Sequence, residues 1–270
     1  MGSRPVALVT GAGRGIGRGI CAEFAARGYE VLGGIRREPD EPLPDGVSAV
    51  RLDVTDPDPG VIPRRLDALV NNAGVDPDNL PLEMVQAAQW RQVLETNVVG
   101  LAEVTRMALP SLRAGDDSVV CNITSAGLAV PMPFFSLYRA SKAAVAAISE
   151  SLAIELAPQG IRVIEVLPGP VETDMLAGSA TDPARIGEGD YAALAEVVAR
   201  LRPATDDRAV PVASAAASIV DAIEEARAQR PGGVPLRHTC DDVGAEVVRP
   251  WQQAPDEDHI AAYRGVFTID

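Results

Sequence analysis

Residues 6–17, VALVTGAGRGIG, decide the architecture. Val6–Val9 is an apolar run of strand length, and the glycine turn after it leads straight into helix-type apolar spacing over 16–27, which stops at Gly28. Strand, tight turn and helix in this order aim bare backbone amides and the positive end of a helix at one small volume, which suits a phosphate group. The glycines fall at Gly11, Gly15 and Gly17, so the spacing departs from the G-x-G-x-x-G dinucleotide fingerprint. A turn that serves only strand-to-helix packing would carry the same glycines, and other residues must decide.

Strand-like runs recur at 30–35, 47–52, 67–70, 118–123 and 161–167, with helical stretches between most of them. Apolar strands that alternate with helices imply right-handed crossovers and a parallel sheet buried on both faces. The expected fold is α/β: a single-domain, Rossmann-type doubly wound parallel sheet with helices on both faces, spanning residues 1–270. Two long helical segments, 87–113 and 136–157, are Ala-rich. Between the third and fourth strands only DVTDPDPGVIPRRL remains, too short and too proline-rich for a full crossover helix, so a shortened connection is expected. Beyond Thr173 the chain reads as loop, then as helix near 190–201 and 212–229. Residues about 174–210 are expected to form a substrate lid, and 240–270 a C-terminal extension whose role the sequence does not reveal.

Composition narrows the function. The formal charge of −14 argues against nucleic acid or an anionic membrane as partner. No run reaches the eighteen or so apolar residues of a membrane span. The start, MGSRPVALVT, has no basic region followed by an apolar leader, and the expected location is the cytoplasm. Cys21, Cys121 and Cys240 are widely spaced and suggest neither a disulfide framework nor a zinc site, and no His/Asp/Glu cluster has metal spacing, so no metal is expected.

Lys142 is the chain's one lysine among 24 basic residues, the rest being arginine. It stands four after Tyr138 in a helical stretch, on the same face. A tyrosine with a pKa of about 10 is a poor proton donor near neutrality, and a neighbouring ammonium favours the phenolate and lowers that pKa. With four tyrosines in 270 residues, a randomly placed lysine would fall four after a tyrosine in about 4/270 of arrangements. The pair therefore reads as chemistry, with lysine kept where a compact ammonium differs from a guanidinium.

If a dinucleotide lies on the glycine turn, its adenosine ribose is read at the end of the second strand, where NAD enzymes place an acidic side chain. Here that strand ends Ile35-Arg36-Arg37, and Arg14 in the turn adds a third guanidinium able to bind a 2′-phosphate. NADP(H) is favoured over NAD(H). Glu38 argues the other way, but Pro39 places it in the following loop.

Four motifs stand in order: Thr10-Gly11-x-x-x-Gly15-x-Gly17, Asn71-Asn72-Ala73-Gly74, Ser125 thirteen before Tyr138-x-x-x-Lys142, and Pro168-Gly169-Pro170-Val171-x-Thr173. With them the sequence resembles the short-chain dehydrogenase/reductase family, in its shorter, non-extended type, over about residues 5–175. The resemblance implies that Tyr138 passes the substrate proton and that Ser125 polarises the carbonyl. Lys142 would bind the nicotinamide ribose and lower the Tyr138 pKa, and Asn97, in LETNVVG, would help hold a proton-relay water. Thr10, Gly11, Arg14, Gly15, Ile16 and Gly17 would meet the cofactor at the turn, Asp53 and Val54 would border the adenine, and Asn72, Ala73 and Gly74 would support the strand end. Pro168 and Gly169 belong to the same cofactor site, with Val171 and Thr173 at the carboxamide. A homodimer or homotetramer through the two long helices is implied as well.

The expected activity is reduction of a ketone or aldehyde, or oxidation of the alcohol. Met132, Phe134, Phe135 and Met175 flank the site and suggest an apolar substrate, although they would serve equally as core packing. A non-catalytic NADP(H) sensor or scaffold is the alternative, but such a protein usually loses part of the Asn-Ser-Tyr-Lys set. An extended-type sugar-nucleotide epimerase would need different glycine spacing and a larger C-terminal domain. His238 and His259 lie outside the motifs and are given no catalytic role.

Overall fold

The computed structural model describes residues 4–267. Seven strands form one sheet: β1 (Val6–Thr10), β2 (Glu30–Ile35), β3 (Val47–Arg51), β4 (Ala68–Asn71), β5 (Val119–Ile123), β6 (Arg162–Val166) and a short β7 (Arg237–His238). Their order is β3-β2-β1-β4-β5-β6-β7, and every pairing is parallel. The order reverses between β1 and β4, so a crevice opens beyond their carboxyl ends, the place where such sheets bind ligands.

Helices cover both faces, as the apolar strands require. On one face α1 (Gly15–Ala26) and α8 (Val212–Ala228) bury Ile20, Phe24, Ile219 and Ile223 against Ala7, Val9 and Val31. On the other, α3 (Leu101–Arg113) and α4 (Ser136–Leu156) bury Val104, Leu112 and Leu156 against Leu8, Leu69 and Val120. At roughly 25 cal/mol per Å², these two apolar layers dominate the stability of the sheet.

The connection from β3 to β4 holds no crossover helix, only one tight turn at Pro59–Val61, as the prolines require. Val61 and Ile62 pack against the α3 face in its place. The long segment 87–113 is not one helix. It divides into α2 (Ala87–Leu94) and α3, joined by a wider π turn at Glu95–Gly100. The stretch after Thr173 that reads as loop carries two short helices, α5 (Asp174–Gly178) and α6 (Pro183–Ile186), and the helix expected near 190–201 is α7 (Ala192–Asp206). The C-terminal extension forms α9 (Asp242–Gln253) and α10 (Asp256–Val266). Among the described residues, no helix is long and apolar enough to cross a membrane.

Candidate active site

A cleft of about 680 Å³ runs along the carboxyl ends of the strands, from Arg36 and Arg37 at one end to Ser125, Tyr138 and Lys142 at the other. Of the residues expected at the cofactor, all but Thr10 and Gly17 line it. Those two build its floor. Thr10 Oγ1 accepts the amides of Asn72 and Ala73, each at 3.0 Å, while Asn72 Nδ2 donates to Thr10 O at 3.0 Å, lacing β1 to β4 at the switch point. Gly17 is packed so closely that a Cβ would collide with the Gly11 carbonyl and the Asn72 amide. Gly11 itself has φ +69°, a left-handed conformation suited to glycine.

The catalytic candidates come from three elements. Ser125 stands two residues beyond β5 in extended backbone and caps the tight turn Ala126–Ala129, its Oγ accepting from Gly127 N at 3.0 Å. That bond uses a lone pair of the oxygen, and the hydroxyl also hydrogen-bonds to the Tyr138 phenol. Tyr138 and Lys142 sit in the first turns of α4, with Lys142 Nζ 5.7 Å from the centre of the Tyr138 ring. Lys142 is buried, and its ammonium donates to Ile123 O at 3.0 Å. Burial lowers the Lys142 pKa to about 8, against the opposing charges of Asp76 and Glu165.

One expectation needs correcting here. The ammonium is aimed at a backbone carbonyl, and the Tyr138 pKa is pushed up by burial and by the Asp76 charge, with the Ser125 hydrogen bond opposing. The four-residue spacing brings Lys142 beside the ring without the expected lowering.

Asn97 lies in the π turn and does not line the cleft. Its amide is committed to structure: Oδ1 accepts from Val75 N at 2.8 Å, and Nδ2 donates to Val75 O at 2.9 Å and to Ser141 Oγ at 3.1 Å. It thereby ties the loop after β4 to α4. Gly74 lies beside both groups, since a Cβ there would stand 3.4 Å from Asn97 Oδ1 and 3.8 Å from Lys142 Nζ.

At the adenosine end, Arg36 and Arg37 are exposed and have no ion-pair partner among the described residues, while Arg14 is turned toward Asp174 of α5 at 3.3 Å. Arg18 and the acids Glu38, Asp40 and Glu41 also line this end, with Arg18 facing Glu41 at 3.5 Å. Asp53 closes its own turn by accepting from Thr55 N and Oγ1 at 3.0 and 2.8 Å, and Val54 is buried beside it. Thr173 caps α5 by accepting from Leu176 N at 3.1 Å, and Val171 bridges Val210, so the segment 174–210 leaves from the loop that lines the cleft and returns to it. Phe135 and Met175 line the cleft, whereas Phe134 packs edge-on against Tyr191 at 6.0 Å.

Sequence reasoning missed Asp241, which accepts the Gly169 amide from 72 residues away, and Asp76, a carboxylate in the cleft wall. It also missed a buried relay under the site, in which Asn71 donates to Asn122 Oδ1 and Thr105 Oγ1 and Asn122 donates to Ser149 Oγ, all at 2.8 Å. The histidines lie elsewhere: His238 Nε2 meets Pro235 O and His259 Nε2 meets Ala129 O. Among the described residues no group of His, Cys, Asp and Glu is placed to hold a metal ion.

The sequence model of the family described as short chain dehydrogenase matches residues 5–58 and 61–184. The chain belongs to this family. Its two matched stretches meet in the shortened β3–β4 connection, where the short chain dehydrogenase pattern lapses for two residues. Among curated relatives, cis-4-hydroxycyclohexanecarboxylate dehydrogenase of Sinomonas cyclohexanicum is 37% identical over 192 residues, covering 66% of this chain and 77% of that protein. A 3-oxoacyl-[acyl-carrier-protein] reductase of Staphylococcus aureus is 36% identical over 186 residues, covering 63% and 75%. A short-chain dehydrogenase structure from Streptomyces avermitilis aligns over 98% of this chain and 96% of its own, at TM-score 0.74 and 32% identity. Two further similar structures hold different cofactors. A putative 2-deoxy-d-gluconate 3-dehydrogenase from Agrobacterium tumefaciens has bound NADP (26% identity, TM-score 0.69, 93% of this chain and 97% of that one). A 3-ketoacyl-(acyl-carrier-protein) reductase from Brucella melitensis is complexed with NADH (25%, 0.67, 87% and 97%). The chain is thus an oxidoreductase of the short chain dehydrogenase family.

Proposed function

We propose that the protein reduces a ketone or aldehyde with NADPH, or oxidises the corresponding alcohol with NADP⁺, with Tyr138 as the acid/base. The observation that carries this reading is a single cleft with Ser125, Tyr138 and Lys142 at one end and the unpaired guanidinium groups of Arg36 and Arg37 at the other. The residues fit a dinucleotide: the amides of the glycine turn open the N-terminus of α1 toward the cleft, and the side-chain-free edge of Gly74 leaves room beside Lys142. When bound, the nicotinamide supplies or takes up the hydride. Arg36 and Arg37 hold the 2′-phosphate, and Lys142 the ribose hydroxyls. Ser125 donates its hydroxyl hydrogen to the carbonyl oxygen, and Tyr138 delivers the proton as that oxygen gains charge.

Phe135, Met175 and Leu176 give the substrate end an apolar wall. The relatives' names, a dehydrogenase of a hydroxycyclohexane acid and a 3-oxoacyl reductase, describe chemistry of the same kind. A homodimer or homotetramer through α3 and α4 accords with Ile154 of α4 standing 79% exposed, and a monomer by light scattering would contradict it. The cytoplasm is the proposed compartment.

The test follows the loss of NADPH absorbance with ketones, aldehydes, quinones and β-ketoacyl thioesters, with NADH in parallel. Turnover with preference for NADPH supports the whole reading. Turnover with NADH alone overturns the cofactor assignment in favour of Glu38, and NADPH binding without turnover would leave a sensor or scaffold.

A further inference from the structure

The wall of the cleft beside Tyr138 and Lys142 carries a carboxylate that the proton chemistry does not use. Asp76 lines the cleft just beyond Gly74, and its Oδ1 is buried without a hydrogen-bond partner among the described residues. An unpaired buried carboxylate oxygen destabilises a fold, and such groups persist where they have a task. Its charge acts on both Tyr138 and Lys142, so it belongs to the end of the cleft that those two side chains line. The Lys142 and Arg202 charges act on Asp76 in turn, and burial still pushes its pKa up to about 6. The wall is held rigidly. Asn79 Nδ2 donates to Ser179 O at 2.5 Å, and Arg202 Nη1 donates to Ser179 O and Oγ at 3.2 and 3.0 Å, closing the lid onto the loop that bears Asp76.

We propose that Asp76 determines specificity: its free oxygen accepts a hydrogen bond from a hydroxyl on the carbon next to the one that is reduced, so that the substrates are hydroxy ketones or hydroxy aldehydes and the products vicinal diols. The proposal rests on the reductase reading above. A donor is required because the orphan is a carboxylate oxygen. A neutral hydroxyl fits better than an ammonium, because two cations, Lys142 and Arg202, already act on this carboxylate. A substrate carboxylate would be repelled by it. Asp76 thus adds one polar contact to an otherwise apolar end, leaving Phe135 and Met175 for the remainder of the substrate.

The test uses matched substrates in which a methyl replaces the hydroxyl: 2-hydroxycyclohexanone against 2-methylcyclohexanone, and 1-hydroxybutan-2-one against pentan-3-one. A hydrogen bond to a charged acceptor discriminates roughly ten- to a hundredfold, and wild-type kcat/KM should favour the hydroxy member by that ratio. The ratio should fall to about one in Asp76→Leu and to an intermediate value in Asp76→Asn, which keeps a neutral acceptor. Because the ratio is taken within each variant, a general loss of activity does not mimic the effect. Equal kcat/KM for both members in wild type, or a ratio unchanged in Asp76→Leu, overturns the proposal. If wild type turns over neither member, the reductase reading is at fault, and binding decides about Asp76. Calorimetric titration of trans-cyclohexane-1,2-diol and trans-2-methylcyclohexanol, with and without NADP⁺, must then show tighter binding of the diol to wild type and none of that preference in Asp76→Leu. Equal affinities would overturn the proposal.

Discussion

Asp241 holds the backbone of Gly169: one carboxylate oxygen accepts from Gly169 N at 2.7 Å, and the other accepts from Gly244 N at 2.7 Å, capping α9. One side chain from the C-terminal extension therefore starts a helix and clamps the loop that lines the cofactor cleft. Gly169 has to be glycine for this, since a Cβ would collide with the Asp241 carboxylate. Loss of a helix cap costs about 1 kcal/mol and an orphaned buried amide about 1–3 kcal/mol. Asp241→Ala should therefore lower stability by about 2–4 kcal/mol in urea titrations and weaken NADP(H) binding in fluorescence titrations. Unchanged affinity would show that the loop is held without Asp241.

Arg36 and Arg37 should separate the two cofactors. Each charge-assisted bond to a 2′-phosphate contributes about 1.5–3 kcal/mol, so Arg36→Ala or Arg37→Ala should reduce kcat/KM for NADPH roughly ten- to a hundredfold. The value for NADH should barely move. Equal losses with both cofactors would place these side chains elsewhere than on the phosphate.

Asp76 makes stability depend on pH in a definite direction. Its pKa rises from 3.8 to about 6 on folding, because burial outweighs Lys142 and Arg202 while Asp78 adds to the rise. The unfolded chain therefore gives up this proton first, and stability falls as pH climbs from about 4 to 6 and stays reduced above. Asp76→Asn should raise the stability at neutral pH by up to about 3 kcal/mol and leave it nearly unchanged at pH below about 4. Thermal unfolding across this range checks the sign; an equal gain at every pH would point to packing instead.

Phe134 holds φ +68°, a left-handed conformation that costs a side-chain-bearing residue about 1–2 kcal/mol. Phe134→Ala removes the ring from Tyr191 and keeps the strain, whereas Phe134→Gly removes both. The glycine variant should be the more stable of the two by about 1 kcal/mol in chemical denaturation. The reverse order would mean that the backbone relaxes once the ring is gone.

The sheet was legible because its strands are continuously apolar and punctuated by glycine and proline. The Tyr138–Lys142 pair was legible because one lysine stands at helical spacing from a tyrosine. The π turn at Glu95–Gly100 was not, since its hydrophobic spacing differs little from that of an α-helix. The helix read near 190–201 continues through Pro203 to Asp206, where the proline forfeits one backbone bond without ending the helix. Asp241 and Asp76 stayed hidden for different reasons. Asp241 acts on a residue far away in sequence, which no local pattern reports, and the meaning of Asp76 lies in a missing partner, which only three dimensions reveal. Arg14, expected at the phosphate, lines the cleft and also pairs with Asp174, a surface pairing that spacing does not encode.

The solitary, buried Lys142 also makes the chain a simple target for amine chemistry. An electrophile that labels lysine ε-amines has one such site in the whole sequence, and that site lines the cleft. Because burial brings its pKa to about 8, a substantial fraction of that amine is already nucleophilic in mildly alkaline buffer. The extent of lysine labelling therefore reports directly on whether the cleft is open, with no background from other lysines.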